Sequence, residues 1–367
     1  MRITHLTSVH PRYDTRIFHK HAVFSAESGF DTSLLVNDKL GNEVQNNVQI
    51  LSTNWSFESK LIRVLYSIFL FPFKAKSIDS DLYVFHDPEL LICGAYLKLI
   101  RKKVIYDIHE DYELIHFENR GIVRRLLGRL YRLISFSLIQ NFDGVFVVNE
   151  RLKNKFNRIA RRLILLPNYP ILTKSHSLIQ GSSTDKLRIV FAGGIKKDWN
   201  IMPFATLLSL RNDVEFHLVG KPNEYLNSIL SKNFQNLTYH GHLSHQETLD
   251  LLTQMDIGLA YSSSVQLQGD GSIGNTKVFE YLQNGLAVIV NNNAVWRNII
   301  ESNKVGFLLN QPLDLTEILD RLLNDRKLLS KIKLTARDLV YLKYNWNTSF
   351  VAVNDFFEDL QGELRNI

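Results

Sequence analysis

The sequence has little of what secreted and membrane-spanning proteins rely on. Its 367 residues include one cysteine, Cys93, which excludes an intramolecular disulfide and a zinc site built from cysteine pairs. The longest apolar run, residues 64–73, is far shorter than the roughly 20 residues that span a bilayer. Polar residues interrupt what would have to be the apolar core of a signal peptide. We therefore expect a cytoplasmic protein.

Acidic residues are outnumbered by basic ones only in the first half of the chain. Residues 1–170 contain 24 Lys and Arg against 17 Asp and Glu, a net charge of +7, whereas the remainder has 19 against 20, a net charge of −1. This asymmetry indicates an anionic partner for the N-terminal half, either lipid or nucleic acid. Aromatic residues are not interleaved with the basic ones as base stacking requires, so we expect an anionic membrane surface and no nucleic acid.

Short β-branched runs alternate with segments of helical period, which is typical of parallel α/β units. The pattern occurs twice, and residues 167–186, with two prolines and a run of Ser, Gly and Thr, interrupt it. We predict an α/β fold of two doubly wound parallel sheets facing a central cleft. The domains are residues 1–168, a linker at 169–186, and residues 187–345, with a last helix at about 346–365 that packs back onto the first domain. The predicted strands are 2–6, 31–36, 81–85, 103–107, 144–148, 188–192, 214–219, 237–239, 257–261 and 287–291, and the clearest helices are 18–28, 120–139, 225–231, 245–254, 276–284 and 313–324.

A glycine-rich segment follows the predicted strand at residues 257–261. Gly269, Gly271 and Gly274 let the backbone approach a ligand closely, and the next helix points its N-terminus at the same place, as in an anion site. Lys277 adds a full charge for a diphosphate. Glu280, one turn later, has acceptor geometry suited to the vicinal hydroxyls of a ribose.

The same glycines have the GxGxxG spacing of a dinucleotide-binding turn. That turn follows its strand directly, whereas seven residues separate Tyr261 from Gly269, and the next strand ends in three asparagines rather than an acid. We favour a phosphate site. A flexible loop whose glycines only relieve strain is the alternative.

Other glycines mark strand ends on the same rim of the second predicted sheet. One pair follows the first strand of that half and precedes two lysines, where a backbone nest would hold an anion. These residues are Gly193, Gly194, Lys196, Lys197, Gly220 and Gly241.

Five motifs, in this order, resemble the family-four retaining glycosyltransferases of GT-B type, above all those that build bacterial surface polysaccharides. They are HPRYDTRIFHK from His10, HDPELL from His86, YDIHED from Tyr106, PNYP from Pro167 and NTKVFEYLQNGLAVI from Asn275. The resemblance implies a nucleotide-diphosphate sugar donor in the C-terminal half and an acceptor in the N-terminal half. It implies neither a cofactor nor a metal.

On the donor side, Glu280 matches the second glutamate of the family's paired motif, which binds the ribose, and the first glutamate would fall at Ser272. The family's arginine and lysine after the first donor-domain strand fall at Gly194 and Trp199. Phosphate charge would then be met by lysines of this chain. The resulting donor-binding set is Gly193, Gly194, Lys196, Lys197, Gly220, Gly241, Gly271, Ser272, Gly274, Asn275, Thr276, Lys277 and Glu280.

On the acceptor side, His109 ends the strand KVIYD beside Glu110 and Asp111 and is expected to project beyond the sheet. The resemblance implies that His109 lies by the donor sugar, and we predict it as catalytic together with Glu280. It implies no protein nucleophile, because the leaving diphosphate helps to deprotonate the incoming hydroxyl. A salt-bridging structural histidine is the alternative.

The predicted acceptor contacts also have structural alternatives. Arg16 and Asp14 would pair with each other, and His86 and Asp87 would cap the helix that starts near Pro88. The predicted contacts are His10, Arg12, Asp14, Arg16, His86 and Asp87.

The predicted helix at residues 120–139 carries arginines on one half and apolar residues on the other. Such a helix lies on anionic lipid, and the stretch KLIRVLYSIFLFPFKAK from Lys60 is apolar with cations at both ends. We expect a lipid-linked acceptor and peripheral attachment to the inner face of the cytoplasmic membrane. A helix that buries its apolar half is the alternative, and two other functions remain open: a catalytically silent protein of the same fold and a nucleotide-binding oxidoreductase.

Overall fold

The computed structural model describes residues 1–117, 121–172, 185–264 and 267–365. The chain divides into an N-terminal unit, Met1–Asn168 with Ser349–Ile367, and a C-terminal unit, Tyr169–Thr348. Most of the predicted linker falls on residues 173–184, and these lie outside the described residues, as does Arg120 of the predicted basic helix. Within the described ranges, no helix combines the length and hydropathy needed to cross a bilayer.

The N-terminal unit is built on a sheet. Its strands are β1 (Arg2–Leu6), β2 (Asp31–Val36), β3 (Glu43–Gln45), β4 (Val48–Ser52), β5 (Leu82–Phe85), β6 (Lys103–Ile108), β7 (Gly144–Val147) and β8 (Leu163–Leu165). The strand order is β3-β4-β2-β1-β5-β6-β7-β8, and only β3 pairs antiparallel. The sequence predicts β1, β2, β5, β6 and β7 to within one residue at each end, whereas β3, β4 and β8 were missed.

Helices cover both faces of this sheet. Leu35 of β2 belongs to one core cluster and Leu34 and Val36 to another, because successive side chains of a strand point to opposite faces. The helices of this unit are α1 (Val23–Glu27), α2 (Lys60–Phe69), α3 (Phe71–Lys76), α4 (Leu91–Leu99), α5 (Tyr112–His116), α6 (Ile122–Ile139) and α7 (Glu150–Phe156). Those that contribute to the first cluster are α2, α3, α4, α6 and α7, and a π-helix at Thr15–Ala22, capped by Asp14, lies on the other face.

The C-terminal unit repeats the plan with a smaller, wholly parallel sheet in the order β11-β10-β9-β12-β13-β14. Its strands are β9 (Leu187–Ala192), β10 (Val214–Val219), β11 (Leu237–Tyr239), β12 (Ile257–Leu259), β13 (Ala287–Asn291) and β14 (Gly306–Leu309). Its helices are α8 (Ile201–Leu208), α9 (Glu224–Leu230), α10 (His245–Leu252), α11 (Thr276–Gln283), α12 (Ala294–Trp296), α13 (Leu315–Asn324) and α14 (Arg326–Leu342). The sequence missed β14, α8, α12 and α14.

Each sheet has one point where the chain reverses its direction of travel across the strands. In the N-terminal unit the reversal lies between β1 and β5, and in the C-terminal unit it lies between β9 and β12. Loops after the carboxyl ends of the two strands at such a point diverge and leave a crevice for a ligand. The loops that follow β1, β5, β9 and β12 are therefore the expected places for ligand binding.

The last helix, α15 (Trp346–Arg365), contributes its residues from Ser349 onward to the N-terminal unit. The rings of Phe350 and Phe24 lie 5.5 Å apart, and those of Phe357 and Phe30 lie 5.7 Å apart. At the other end of the helix, Glu363 accepts a hydrogen bond from Lys103 Nζ at 2.6 Å. This helix therefore completes the core of the first unit from the far end of the sequence.

We expect Phe357→Ala to lower the free energy of unfolding by about 3–5 kcal/mol, because truncating a fully buried ring leaves a cavity under α15. Urea denaturation followed by circular dichroism measures the change. The matched control is Val351→Ala on the exposed side of the same helix, which should cost less than about 0.5 kcal/mol. Equal losses in both variants would contradict the packing role.

Candidate functional site

Three of the predicted glycines meet where β9, β10 and β11 end. Gly193 N–H donates to Val219 O at 2.9 Å, and Gly220 N–H donates to Gly241 O at 2.9 Å. A Cβ on Gly220 would lie 2.3 Å from Gly193 O, so only glycine allows this approach. Gly193 itself has φ +127°, which side chains rarely tolerate. The backbone at this edge is therefore bare, as the glycine pattern predicts.

Lys277 extends from α11 across the end of β9. Its Nζ lies 3.3 Å from the centroid of the Trp199 ring and 3.9 Å from that of Phe191. Gly193 leaves space beside it, because a Cβ there would be 3.4 Å from Nζ. Desolvation lowers the pKa of Lys277 well below its usual value, while the nearby charge of Glu280 acts in the opposite direction. The two rings thus hold the Lys277 amino group, which hydrogen-bonds to no acceptor among the described residues.

The first turn of α11 has no side-chain cap. Asn275 occupies the N-cap position, yet its Nδ2 donates to Ala260 O at 3.0 Å. Buried Asn275 Oδ1 has no donor within the described part of the chain. Thr276 and Lys277 are the first residues of the helix, so their N–H groups and the positive end of the helix dipole remain available to an anion. The carboxylate of Glu280, one turn later, has no hydrogen bond or ion pair with the residues that the structure describes.

The glycine-rich segment before α11 differs from the expected open loop. Gly269–Gly274 forms a 3-10 helix in which Gly271 N–H donates to Gln268 O at 3.1 Å. Gly271 and Ser272 are buried, and the Ser272 hydroxyl accepts a hydrogen bond from Asn293 Nδ2 at 3.1 Å. The prediction of a glycine backbone exposed to phosphate is therefore wrong for Gly271, because its N–H is already bonded. Gly274, which is partly exposed, ends this turn next to α11.

Further residues of this edge are placed individually. Lys196 and Lys197 are exposed beyond β9, next to the exposed Gly194. Ala192 N–H donates to the hydroxyl of Tyr281 at 2.8 Å, which fixes α11 against the end of β9. Sequence reasoning missed Tyr281 and the ring of Phe191. These two residues act together only because β9 and α11, about 90 residues apart in the sequence, are in contact in the fold.

Asp107, at the carboxyl end of β6, is the centre of the second group of polar residues. Arg16 binds it with two hydrogen bonds, from Nε at 2.9 Å and from Nη2 at 2.6 Å. Three imidazoles approach the same carboxylate: His86 Nδ1 at 3.0 Å, His109 Nε2 at 2.8 Å and His21 Nε2 at 3.0 Å. The partner of His109 is therefore Asp107, not the neighbouring Glu110 or Asp111.

The protonation states of this cluster follow from its burial and its charges. Burial alone would raise the pKa of Asp107, but Arg16 and His109 outweigh it and hold the pKa well below the usual range. Burial lowers the pKa of His5, His21 and His86, so these imidazoles are neutral at physiological pH. With Nε2–H of His109 directed at Asp107, Nδ1 is the ring nitrogen left for a ligand.

Asp87 binds the loop after β1. Its Oδ2 accepts hydrogen bonds from Ser8 N–H at 2.6 Å and from the Thr7 hydroxyl at 2.7 Å, while Oδ1 lies 2.8 Å from His10 Nδ1. Burial would raise the pKa of Asp87, yet these bonds lower it to about 2. Burial likewise would lower the pKa of His10, and Asp87 raises it. Asp87 stands at the N-cap of a 3-10 helix, Pro88–Leu90, without capping it, so the capping alternative is wrong for its carboxylate.

The predicted acceptor contacts do not form one group. His10 and His86 come together with the predicted catalytic His109, with ring centroids of His10 and His109 5.4 Å apart and those of His86 and His109 also 5.4 Å apart. Arg12 is buried and donates to Asp38 Oδ1 and Oδ2, both at 2.9 Å. The remaining two, Asp14 and Arg16, shape the loop: Asp14 caps the π-helix and Arg16 binds Asp107. Their contact with an acceptor stays a prediction.

Sequence reasoning did not select Asp107, His5 or His21. A charged residue within the buried run KVIYDI was the available signal, because such residues are seldom buried without a partner. Ligand atoms of His21, His86 and Asp107 lie within 4.8 Å of one another, the composition of a metal site. The guanidinium of Arg16 already supplies the positive charge at this carboxylate.

Solved structures define the class of fold. Sucrose-phosphate synthase from Thermosynechococcus elongatus superposes with a TM-score of 0.73 at 11% identity, covering 99% of each chain. HepE of Anabaena, solved with UDP and glucose, has a TM-score of 0.70 at 12% identity, covering 98% of this chain and all of its own. The predicted fold is confirmed: two parallel-sheet Rossmann-like domains, as in GT-B glycosyltransferases.

A family model matches only part of the sequence. Residues 203–353 match the model of a family described as Glycosyl transferase-like, and no curated protein matches the chain. A UDP-N-acetylglucosamine 2-epimerase described as putative, from Listeria monocytogenes, also shares the fold, with a TM-score of 0.63, 11% identity and coverage of 98% and 97%. The chain therefore has the GT-B fold, and residues 203–353 are similar to a glycosyltransferase-like family. A reaction has to be argued from the residues of this chain.

The buried histidines predict a loss of stability in mild acid. Their folded pKa values lie below the unfolded value of about 6.5, so the unfolded chain binds protons that the folded chain does not. The stability they contribute is complete above that value and falls as the pH drops below it, with His10 opposing in part. We expect the free energy of unfolding to decrease by about 2–3 kcal/mol between pH 7 and 5.5.

Urea denaturation at both pH values measures this decrease. His21→Gln removes one of the three titrating groups and should reduce the pH dependence by about one third. His245→Gln, on the exposed start of α10, is the matched control and should leave it unchanged. A free energy that is level over this range would contradict neutral buried imidazoles.

Proposed function

We propose that the protein is a retaining, metal-independent family-four glycosyltransferase that moves a sugar from a nucleotide-diphosphate donor to a glycan acceptor. The observation that carries this proposal is the arrangement on α11. An uncapped first turn, the ammonium of Lys277 and the unpaired carboxylate of Glu280 follow one another within five residues. A diphosphate and a ribose need these groups in this order.

The diphosphate would bind beside Gly193. The N–H groups of Thr276 and Lys277, with Lys277 Nζ, supply donors and positive charge to the phosphate oxygens. Lys277 meets the charge from α11, while Trp199, where the family has a lysine, supports it through its ring face. Lys196 and Lys197 add charge from the exposed side. This supports binding without a metal ion.

The chemistry follows from a leaving group that also acts as the base. The bond between the anomeric carbon and the diphosphate oxygen breaks, and the acceptor oxygen bonds to the same face of that carbon. The acceptor proton passes to a diphosphate oxygen, so no nucleophile of the protein is required. His109, held by Asp107 through Nε2, would present Nδ1 to the donor sugar. His10, held beside Asp87, would contact the acceptor.

The acceptor and the location are part of the same proposal. We infer a lipid-linked glycan acceptor in surface-polysaccharide synthesis, with the protein cytoplasmic and peripheral at the inner face of the membrane. The excess of basic residues in the N-terminal half supports an anionic surface as partner rather than a nucleic acid. HepE, which shares the fold, was solved with UDP and glucose, so UDP-sugars are the first donors to test.

A catalytically silent binding protein is the second candidate. Ser272 favours it, because the residue at the position of the family's first glutamate is buried and bonded to Asn293 instead of facing a sugar. An oxidoreductase is disfavoured, since the GxGxxG segment is a 3-10 helix well separated from β12. Measured turnover of a donor separates the glycosyltransferase from the catalytically silent protein.

The test is a panel of UDP-, GDP- and dTDP-sugars, with binding measured by calorimetry and slow donor hydrolysis by release of nucleoside diphosphate. We expect one donor class to bind and to be cleaved. Glu280→Ala should weaken nucleotide binding by about 1–3 kcal/mol, because the ribose hydroxyls lose their acceptor. Glu301→Ala, an exposed glutamate of the same unit, is the matched control and should bind as the wild type does.

Each outcome bears on a different part of the proposal. Binding without cleavage of any donor would favour the silent protein. Binding and cleavage of no nucleotide sugar would overturn the transferase proposal. Unchanged affinity in Glu280→Ala would remove Glu280 from the ribose site.

His109→Ala should lower turnover on the order of 100-fold while donor affinity is retained, because a positioned polar group at the reacting centre acts mainly on the transition state. Steady-state kinetics with calorimetry separate the two effects. His245→Ala is the control at an exposed position. Equal turnover in wild type and His109→Ala would refute the catalytic assignment.

A further inference from the structure

Four helices of the N-terminal unit present one continuous outer surface. α2, α3, α4 and α6 all cover the same face of the sheet, where their inner residues share a single core cluster. Phe73 of α3 contacts Tyr96 of α4, with ring centroids 5.7 Å apart. Gly94 of α4 packs on Phe142, which follows α6, because a Cβ there would lie 3.1 Å from that ring. We call the exposed side chains of these helices and of Leu70 the outer helical surface.

The outer helical surface is strongly apolar. In α6 the described buried residues are only Gly128, Ser135 and Ile139, so the alternative in which this helix buries its apolar half is wrong. Seven large apolar side chains of α6 are 47–71% exposed, and six of the α2–α3 segment are 46–68% exposed. Soluble proteins rarely expose a contiguous apolar area of this kind without a partner. The residues are Leu61, Ile62, Leu65, Phe69, Leu70, Phe73, Ile92, Leu99, Ile122, Val123, Leu126, Leu127, Leu130, Leu133 and Ile134.

The charges on the same surface have one sign. α2, α3 and α6 contain no acidic residue. Arg63 and Arg132 are bound by Glu89 and Glu113. The other cations of these three helices are exposed and form no ion pair with the residues that the structure describes; they are Lys60, Lys74, Lys76, Arg124, Arg125 and Arg129.

This combination selects the partner. A second copy of the chain would bring the same cations face to face, because an isologous contact pairs a patch with itself. A nucleic acid would match the cations but leave the apolar side chains without a partner. An anionic bilayer offers phosphates at the level of the headgroups and acyl chains just beneath them.

We propose that the outer helical surface binds an anionic phospholipid bilayer directly. The side chains of α2, α3 and α6 enter the headgroup and acyl boundary, led by Phe69, Phe73, Leu126 and Leu133. Arg124, Arg125 and Arg129 contact lipid phosphates. The proposal deepens the proposed function by naming the surface that would bring a lipid-linked acceptor within reach, and it rests on that function only for the acceptor. Lipid binding requires no sugar transfer, so a failure to bind vesicles would remove the membrane location from the proposed function but not the sugar transfer.

The test is flotation of the full chain with two kinds of vesicle, one of phosphatidylcholine alone and one that also contains about 30% phosphatidylglycerol. We expect binding to the anionic vesicles, weakened by salt because exposed charges are screened. The triple variant Arg124→Gln, Arg125→Gln, Arg129→Gln should reduce binding on the order of 100-fold, since each arginine near an anionic surface contributes about fivefold. The control variant Lys232→Gln, Lys327→Gln, Lys331→Gln removes three exposed charges of the C-terminal unit and should bind unchanged.

A second variant tests the apolar contribution. Phe69→Ser, Phe73→Ser, Leu126→Ser and Leu133→Ser together should reduce binding at least tenfold. Leu210→Ser with Leu342→Ser, at two even more exposed leucines of the C-terminal unit, should not. Circular dichroism and nucleotide affinity verify that each variant is folded.

Three outcomes would overturn the proposal. The first is no flotation of the wild-type chain with anionic vesicles. The second is binding that neither set of substitutions on the outer helical surface alters. The third is a dimer in analytical ultracentrifugation that the serine variant dissociates, which would assign the surface to a second copy of the chain.

Discussion

The buried ion pair between Arg16 and Asp107 is the interaction on which the N-terminal site depends. It joins the π-helix after the first loop to the end of β6, and Nη1 of Arg16 also donates to Leu166 O at 3.1 Å, just beyond β8. Charges removed from water are tolerated only when geometry and further hydrogen bonds compensate for lost hydration. The imidazoles of His86 and His109 provide these bonds at Asp107. The pair therefore orients His109 and holds three elements in register.

The C-terminal site is governed by a different constraint, the close approach of backbone to backbone. Gly193 and Gly220 touch where their strands end, which leaves no room for a side chain and opens space beside Lys277. Lys277 lies on α11, which follows β12. The rings of Phe191, in β9, and of Trp199, shortly after β9, hold its amino group. The position of the Lys277 amino group over these rings therefore depends on contacts between segments that are far apart in the sequence.

The fold was predictable because buried parallel strands appear in the sequence as short runs of β-branched residues. Five of the eight N-terminal strands were found on this basis. The missed pair β3 and β4 is different: these strands are short, and Asn46 and Asn47, with φ of 50° and 60°, form a two-residue turn between them. The Asn-Asn dipeptide was the available signal. Burial of the 3-10 turn at Ser272 and the placement of Lys277 over Trp199 depend on contacts between distant segments, which no local pattern encodes.

The contribution of α15 to the N-terminal unit has a consequence for how the chain is made. Phe350, Phe356 and Phe357 fill the core of the first unit, yet the ribosome reaches them only after the whole second unit has been synthesised. The C-terminal sheet can close as soon as its own residues emerge, whereas the larger sheet has to wait with an uncovered apolar groove beside β7. In the nascent chain, the unit that begins first is completed last.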